Sequence, residues 1–169
     1  MPDASTQALV AELAGALRAR GWHLACAESC SGGLIAAACT ELAGSSDWFE
    51  RGVVSYSNEA KVALLGVPPA LIAARGAVSD EVARAMVEGV QRSSGADLAV
   101  AVTGIAGPAG GTPDKPVGTV WFGFAARRGD GHVQTSSERL RFDGDRAQVR
   151  AATVRHALQG LLQRARLAA

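Results

Sequence analysis

The sequence has little that would tie it to a membrane, a metal or a disulfide framework. No apolar run reaches the roughly 18 residues that cross a bilayer, and the polar segment 1–5 lacks the basic and then apolar pattern of a secretory signal. Three cysteines, Cys26, Cys30 and Cys39, form no even-numbered disulfide set and no zinc-type array with histidines. We therefore expect a cytoplasmic protein with buried thiols at Cys26 and Cys39, no metal site and no cofactor.

The chain also lacks an excess of charge of either sign. Its 17 basic and 16 acidic residues alternate without long blocks and leave a formal net charge of +1. Such a distribution does not provide the basic surface that nucleic-acid binding needs. A small, singly phosphorylated ligand remains compatible with it, because a few local donors would suffice to bind one.

Lysine is scarce, because 15 of the 17 basic residues are arginine and only Lys61 and Lys115 are lysines. A buried ammonium can lose its proton, whereas a guanidinium effectively cannot. A lysine that is kept among arginines is therefore a candidate for proton transfer.

The pattern of apolar residues predicts one α/β domain over 1–169, with a mixed sheet between two helical layers. The segment 4–20 has an amphipathic helical period and ends at Gly21, and mostly apolar strands alternate with helices, which is typical of a sheet that is covered on both faces. The last helix has an apolar stripe that could support a homodimer. The predicted strands are 22–27, 52–56, 97–102, 119–125 and 132–142, and helices are expected over 34–42, 59–65 and 70–74, from Ser79, and after Asp143.

The segment 27–33, Ala-Glu-Ser-Cys-Ser-Gly-Gly, connects the first predicted strand to a helix. It offers three candidate nucleophiles, Ser29, Cys30 and Ser31. The first N–H groups of the helix lack internal partners and could bind an anion. The alternative for this segment is a serine-rich helix cap with no chemical role.

A serine nucleophile needs a base, and the sequence favours Lys61 over the three histidines. His23, His132 and His156 lie at a strand start, near a hairpin turn and within a helix, so we expect them to be structural or on the surface. Lys61 lies near the first turn of a predicted helix, whose field would lower its pKa. Read alone, Lys61 could equally be a solvated helix residue.

A second glycine-containing turn follows the strand that ends at Thr103. If both turns lie at the carboxyl edge of the sheet, they enclose a crevice of the kind in which ligands bind. Read alone, Thr103 could merely end its strand. The segment 107–118 is rich in glycine and proline and is predicted to be a loop, with a lid as one possible role.

Six blocks stand in order along the sequence: AESCSGG (27–33), GSSDWFERG (44–52), YSNEAK (56–61), GAVS (76–79), TGIAGP (103–108) and KPVGTV (115–120). Together they resemble the CinA C-terminal domain family, and the resemblance extends from about residue 5 to residue 162. Ser31 departs from the pattern, since many relatives have threonine there, but a hydroxyl is kept.

The resemblance implies hydrolysis of the carboxamide of nicotinamide mononucleotide (NMN) to nicotinate mononucleotide and ammonia, a step of pyridine-nucleotide salvage. It places a Ser–Lys dyad on Ser29 and Lys61, with Tyr56 and Thr103 as partners that orient the dyad or the amide. The substrate-binding residues that we expect are Cys30, Ser31, Gly32 and Gly33 for the oxyanion, and Gly104, Ala106, Gly107 and Arg146 for the phosphate.

Two other functions stay open from the sequence. One is a non-catalytic nucleotide-binding or interaction module, because family membership does not guarantee activity. The other is an amidase that acts on a different pyridine amide.

Overall fold

The computed structural model describes residues 2–167 as a five-stranded sheet with six α-helices around it. None of these helices combines the length and the apolar character that crossing a membrane requires. The strands are β1 (Leu24–Glu28), β2 (Phe49–Val54), β3 (Leu98–Gly104), β4 (Thr119–Arg127) and β5 (Val133–Arg141). The helices are α1 (Ala4–Arg20), α2 (Leu34–Glu41), α3 (Asn58–Leu65), α4 (Pro69–Arg75), α5 (Asp80–Ser94) and α6 (Arg146–Leu167), with a short 3-10 turn at Ser45–Asp47.

The strand order across the sheet is β2-β1-β3-β4-β5. β2, β1 and β3 run parallel, whereas β4 and β5 are antiparallel to their neighbours, so the sheet is mixed as predicted. Glu28, the last residue of β1, pairs with Val54 on one side and Val102 on the other. The carboxyl ends of the three parallel strands therefore meet at one edge.

Side chains of the central strands alternate between two cores. In β3, Leu98, Val100 and Val102 face the core that α1, α2 and α6 cover. Ala99 and Ala101 face the opposite core, which α3, α4 and α5 cover. The predicted α/β/α layering with helices on both faces is thus confirmed.

Several predicted boundaries shift by a few residues. α1 matches its predicted range, and Gly21 ends it with φ +63°. β1 starts two residues later than predicted and includes Glu28, while β2 spans 49–54 instead of 52–56. β2 is an edge strand with largely exposed residues, so its charged start resembles a turn in the sequence. Residues 1, 168 and 169 of the predicted domain lie outside the described part of the chain.

Glycines let α5 approach its neighbours closely. A Cβ on Gly89 would lie 2.0 Å from the carbonyl oxygen of Leu65, at the end of α3. A Cβ on Gly123, in β4, would lie 2.4 Å from the carbonyl oxygen of Ala83. α5 is therefore held against α3 and β4 at distances that only glycine permits.

We predict that Gly89→Ala destabilises the protein by about 1–3 kcal/mol, because the added methyl group overlaps main-chain atoms. Gly15→Ala is the matched control. Gly15 is an exposed residue within α1, and a Cβ there meets no atom within 4 Å. Alanine at this position should stabilise α1 by roughly 0.5–1 kcal/mol. Urea unfolding of both variants measures the difference, and an equal effect of the two substitutions would contradict the packing argument.

Candidate active site

Ser29 and Lys61 lie together although 32 positions separate them in the sequence. The Lys61 Nζ atom is 3.0 Å from Ser29 Oγ in a buried contact. Ser29 directly follows β1, and Lys61 lies on α3, which follows the neighbouring strand β2. The parallel pairing of these strands brings the two side chains to the same edge of the sheet.

Lys61 is 1% exposed and makes two more hydrogen bonds. Its Nζ donates to the carbonyl oxygen of Ser55 at 2.9 Å and to that of Tyr56 at 3.4 Å. Carbonyl oxygens accept only, so they fix two N–H groups of Lys61. The third tetrahedral direction, toward Ser29 Oγ, holds either a proton or, in the neutral amine, a lone pair that can accept the serine proton.

Burial lowers the pKa of Lys61, because a charged ammonium is poorly solvated there. From its position near the start of a helix, Lys61 was predicted to have a pKa that the helix field lowers. The structure assigns the main cause to desolvation, and Lys61 is the fourth residue of α3 after the N-cap Ser57.

The turn after β1 presents Ser29 in a defined orientation. The Ser29 N–H donates to Val102 of β3 at 3.1 Å, and the Gly32 N–H donates back to the Ser29 carbonyl oxygen at 3.0 Å. Gly32 and Gly33 have φ values of +60° and +97°, which suit glycine. Burial raises the pKa of the Cys30 thiol to about 12, so Cys30 stays protonated and is a poor nucleophile near neutral pH.

Glu28 is a functional candidate that the sequence analysis missed. Its side chain is fully buried, and its carboxylate accepts hydrogen bonds from Ser31 Oγ (2.6 Å), the Ile35 N–H (2.8 Å) and the Ala36 N–H (3.0 Å). The expectation that the first N–H groups of α2 bind an external anion is therefore wrong for Ile35 and Ala36. An internal carboxylate already occupies the positive end of this helix.

A cavity of about 260 Å³ adjoins the Ser29–Lys61 contact. Eight of the twelve predicted site residues line it, and Asn58, Ala77 and Val78 complete the lining. Asn58 precedes Lys61 by one helical turn, so its spacing in the sequence could have indicated it. The eight predicted residues are Ser29, Cys30, Tyr56, Lys61, Thr103, Gly104, Ala106 and Arg146.

The other four predicted residues do not line the cavity. Ser31 is fully buried and donates to Glu28, and Gly32 and Gly33 shape the turn. Gly107 contributes its carbonyl oxygen, which accepts a hydrogen bond from Arg146 at 2.9 Å. All four residues lie in the segments that follow β1 and β3.

Tyr56 and Thr103 line the cavity, but their hydroxyl groups bind elsewhere. The Tyr56 hydroxyl accepts a hydrogen bond from Arg146 at 3.1 Å, and Tyr56 reaches Lys61 only through its main-chain oxygen. Thr103 Oγ1 donates to the carbonyl oxygen of Ala77 at 2.8 Å. In this arrangement neither hydroxyl orients the Ser29–Lys61 pair.

Arg150 is a second residue that the sequence analysis missed. It lies one helical turn after Arg146 on α6 and donates to the main-chain oxygens of Cys30 and Ser31. The four-residue spacing places both arginines on one face of α6, and this spacing in the sequence could have indicated that Arg150 lies near the site.

None of the described residues that line the cavity is a histidine. His23 and His132 are exposed, and His156 pairs with Glu138 at 3.0 Å. Among residues 2–167, no group of three His, Cys, Asp or Glu side chains could hold a metal ion.

Two neighbouring residues of the loop 107–118 contact other elements of the molecule. Lys115 Nζ donates to the carbonyl oxygen of Arg75 at the end of α4 (2.7 Å), and Arg139 donates to the carbonyl oxygen of Asp114 (2.9 Å). Lys115, the second lysine of the chain, thus has a structural contact at a helix C-terminus, where a cation is favoured.

Comparison with known proteins gives one consistent result. The model of the CinA C-terminal domain matches residues 6–165. The nicotinamide-nucleotide amidohydrolase PncC of Enterobacter agglomerans is 51% identical over 163 residues, which cover 96% of this chain and 97% of the relative. PncC of Pseudomonas putida is 54% identical over 155 residues, which cover 92% and 94%.

A solved structure has the same fold. The competence/damage inducible protein CihA from Agrobacterium tumefaciens superimposes with a TM-score of 0.89 at 42% identity. The match covers 96% of this chain and 97% of that protein.

We predict that Lys61 titrates below the ordinary lysine pKa of 10.5, because burial disfavours its charged form. Selective ¹³C labelling of lysine gives only two side-chain signals in this chain, and Lys115→Arg assigns them by removing one. An NMR titration of the Lys61 ¹³Cε signal then gives the pKa directly. A midpoint at or above 10.5 would show that Lys61 is solvated.

Proposed function

Because the chain belongs to the CinA C-terminal domain family, we propose that it hydrolyses the carboxamide of NMN to nicotinate mononucleotide and ammonia. The names of the relatives, nicotinamide-nucleotide amidohydrolase, support this substrate. The observation that carries the chemistry is the 3.0 Å contact between Lys61 Nζ and Ser29 Oγ in a buried site. The proposed reaction is a step of pyridine-nucleotide salvage.

In the first half of the reaction, Ser29 is the nucleophile and Lys61 the general base. Neutral Lys61 accepts the Ser29 proton while Oγ attacks the carboxamide carbon. The Cys30 N–H is the favoured oxyanion donor, since Cys30 lines the cavity and its N–H makes no hydrogen bond to another described residue. Lys61 then gives the proton to the amide nitrogen, the C–N bond breaks, and ammonia leaves an ester on Ser29.

In the second half, water replaces ammonia. Lys61, neutral again, takes a proton from the water as its oxygen attacks the ester carbon. Collapse of this intermediate breaks the bond to Ser29 Oγ, and the proton returns to Oγ from Lys61. The sum is one amide and one water converted to one carboxylic acid and one ammonia.

Arg146 is the proposed donor to the 5′-phosphate. It lines the cavity at the start of α6 and contacts the turn after β3 through the Gly107 oxygen. A guanidinium suits the planar, bidentate recognition of phosphate. The Tyr56 hydroxyl, which Arg146 also contacts, holds this side chain at the cavity.

Two alternatives predict different substrates. An amidase for another pyridine amide would release ammonia from nicotinamide or nicotinamide riboside better than from NMN. A non-catalytic module would release none from any of them. The module is disfavoured because a lysine buried at a serine hydroxyl costs stability and gives a binding module no evident advantage.

We predict that Ser29→Ala and Lys61→Arg each lower the rate of ammonia release from NMN by at least about 10³-fold. The first substitution removes the nucleophile, and the second replaces the base with a group that keeps its proton. An enzyme-coupled ammonia assay measures the rate, and thermal unfolding checks that each variant is folded.

The control for Lys61→Arg is Lys115→Arg, which changes the chain's other lysine in the same way. It keeps a cation at the end of α4, so we expect turnover close to that of the wild type. Turnover by folded Ser29→Ala at the wild-type rate would rule out the proposed nucleophile.

We predict that Arg146→Gln lowers kcat/KM for NMN by about 10- to 100-fold, the range of one lost charge-assisted contact. Nicotinamide riboside lacks the phosphate, so its kcat/KM should change little. Ammonia release by the wild type and by Arg146→Gln is measured with NMN, nicotinamide riboside and nicotinamide. The substrate preference of the wild type separates NMN hydrolysis from the two alternative functions. An equal loss for all three substrates would mean that Arg146 does not bind the phosphate.

A further inference from the structure

Arg150 makes a two-point contact with the turn that carries the nucleophile. Its Nε is 3.2 Å from the carbonyl oxygen of Cys30, and its Nη2 is 3.0 Å from that of Ser31. A Cβ on Gly32 would lie 3.3 Å from this Nη2 atom. A side chain at position 32 would therefore crowd the guanidinium.

These contacts determine which groups of the turn face the cavity. The Ser29 carbonyl oxygen accepts from the Gly32 N–H, so the N–H of Cys30, on the same trans peptide plane, points the opposite way. Arg150 holds the next two carbonyls toward α6. The Cys30 N–H therefore points away from Gly32, and the carbonyl oxygens of Cys30 and Ser31, which would repel an oxyanion, face the guanidinium.

We propose that Arg150 is a positioning residue that keeps Ser29 Oγ and the Cys30 N–H in the orientation that amide attack requires. Arginine suits this task because its fork reaches two carbonyl oxygens at once, whereas an ammonium is a single point. Arg150 is not part of the cavity lining, so it acts through the turn and does not contact the substrate. Its effect on turnover rests on the proposed function, whereas its effect on Ser29 does not.

The test compares Arg150→Ala and Arg150→Lys with Arg155→Ala. Arg155 lies on the same helix and pairs with Asp3 at the surface. We expect Arg150→Ala to lower kcat about 10- to 100-fold, as displaced reacting groups do, with KM changed less than about threefold. Arg150→Lys should recover little of the loss, and Arg155→Ala should match the wild type. The midpoint of the pH–rate profile should not move, because Arg150 binds carbonyls and not Lys61.

Chemical rescue separates positioning from loss of the fold. Guanidinium at millimolar concentrations, far below denaturing levels, should restore part of the activity of Arg150→Ala, and tetramethylammonium should not. Neither cation should restore Ser29→Ala. A kcat of Arg150→Ala or Arg150→Lys equal to that of the wild type would overturn the proposal, and so would a loss that guanidinium leaves unchanged.

Labelling of Ser29 tests the same proposal without NMN. A fluorophosphonate reacts with an activated serine hydroxyl, and mass spectrometry gives the rate of modification at Ser29. We expect slower labelling in Arg150→Ala and Arg150→Lys than in the wild type and Arg155→Ala. If NMN is not hydrolysed but this difference holds, the proposed function fails and the role of Arg150 stands. Equal labelling rates, or no labelling of the wild type, would overturn the role of Arg150.

Discussion

The buried contact between Lys61 and Ser29 is the constraint on which the site depends. An ammonium that is 1% exposed loses its hydration, and the carbonyls of Ser55 and Tyr56 replace only part of it. Protonated Lys61 is less stable in the folded protein than in the unfolded chain, where its pKa is the ordinary one. At pH values below the lowered pKa, this difference reduces the free energy of unfolding. The reduction in the free energy of unfolding becomes smaller as pH rises from the lowered pKa toward 10.5. The fold tolerates this cost at the edge where its parallel strands end, and the proposed benefit is a base that can be neutral.

The turn around Ser29 is held from two sides by groups of opposite charge. The Glu28 carboxylate binds the start of α2 and the Ser31 hydroxyl, and the Arg150 guanidinium binds two carbonyls of the turn. Each ion meets the end of the peptide dipoles that it complements. The positive end of α2 is therefore used to order the turn, and in the proposed mechanism the oxyanion donor is a local N–H group, that of Cys30. Preorganised donors of this kind need no rearrangement during the reaction.

The sequence was sufficient to predict the fold and the elements whose apolar or glycine residues follow a regular pattern. The period of α1, the apolar strand β3 and the glycine-marked turns all follow local rules, and the predicted layers agree with the structure. It was insufficient for Glu28 and Arg150, because their roles arise from contacts 3–8 and about 120 positions away, respectively. An acid after a strand and an arginine on a helix look like ordinary surface residues until the sheet pairs and α6 packs. The start of β2 was missed for a related reason, since an exposed edge strand carries no apolar signature.

The two lysines show how one side chain serves opposite purposes in a chain that otherwise uses arginine. Lys115 lies at the C-terminus of α4, where the helix field favours a cation and its ammonium bonds the Arg75 oxygen. Lys61 lies where burial disfavours a cation. Arginine could replace the charge of Lys115, but at position 61 it would bring a proton that it cannot release. Both lysines look alike in the sequence. Only the structure, through burial and hydrogen-bond partners, distinguishes the candidate base, Lys61, from Lys115, which contacts the end of a helix.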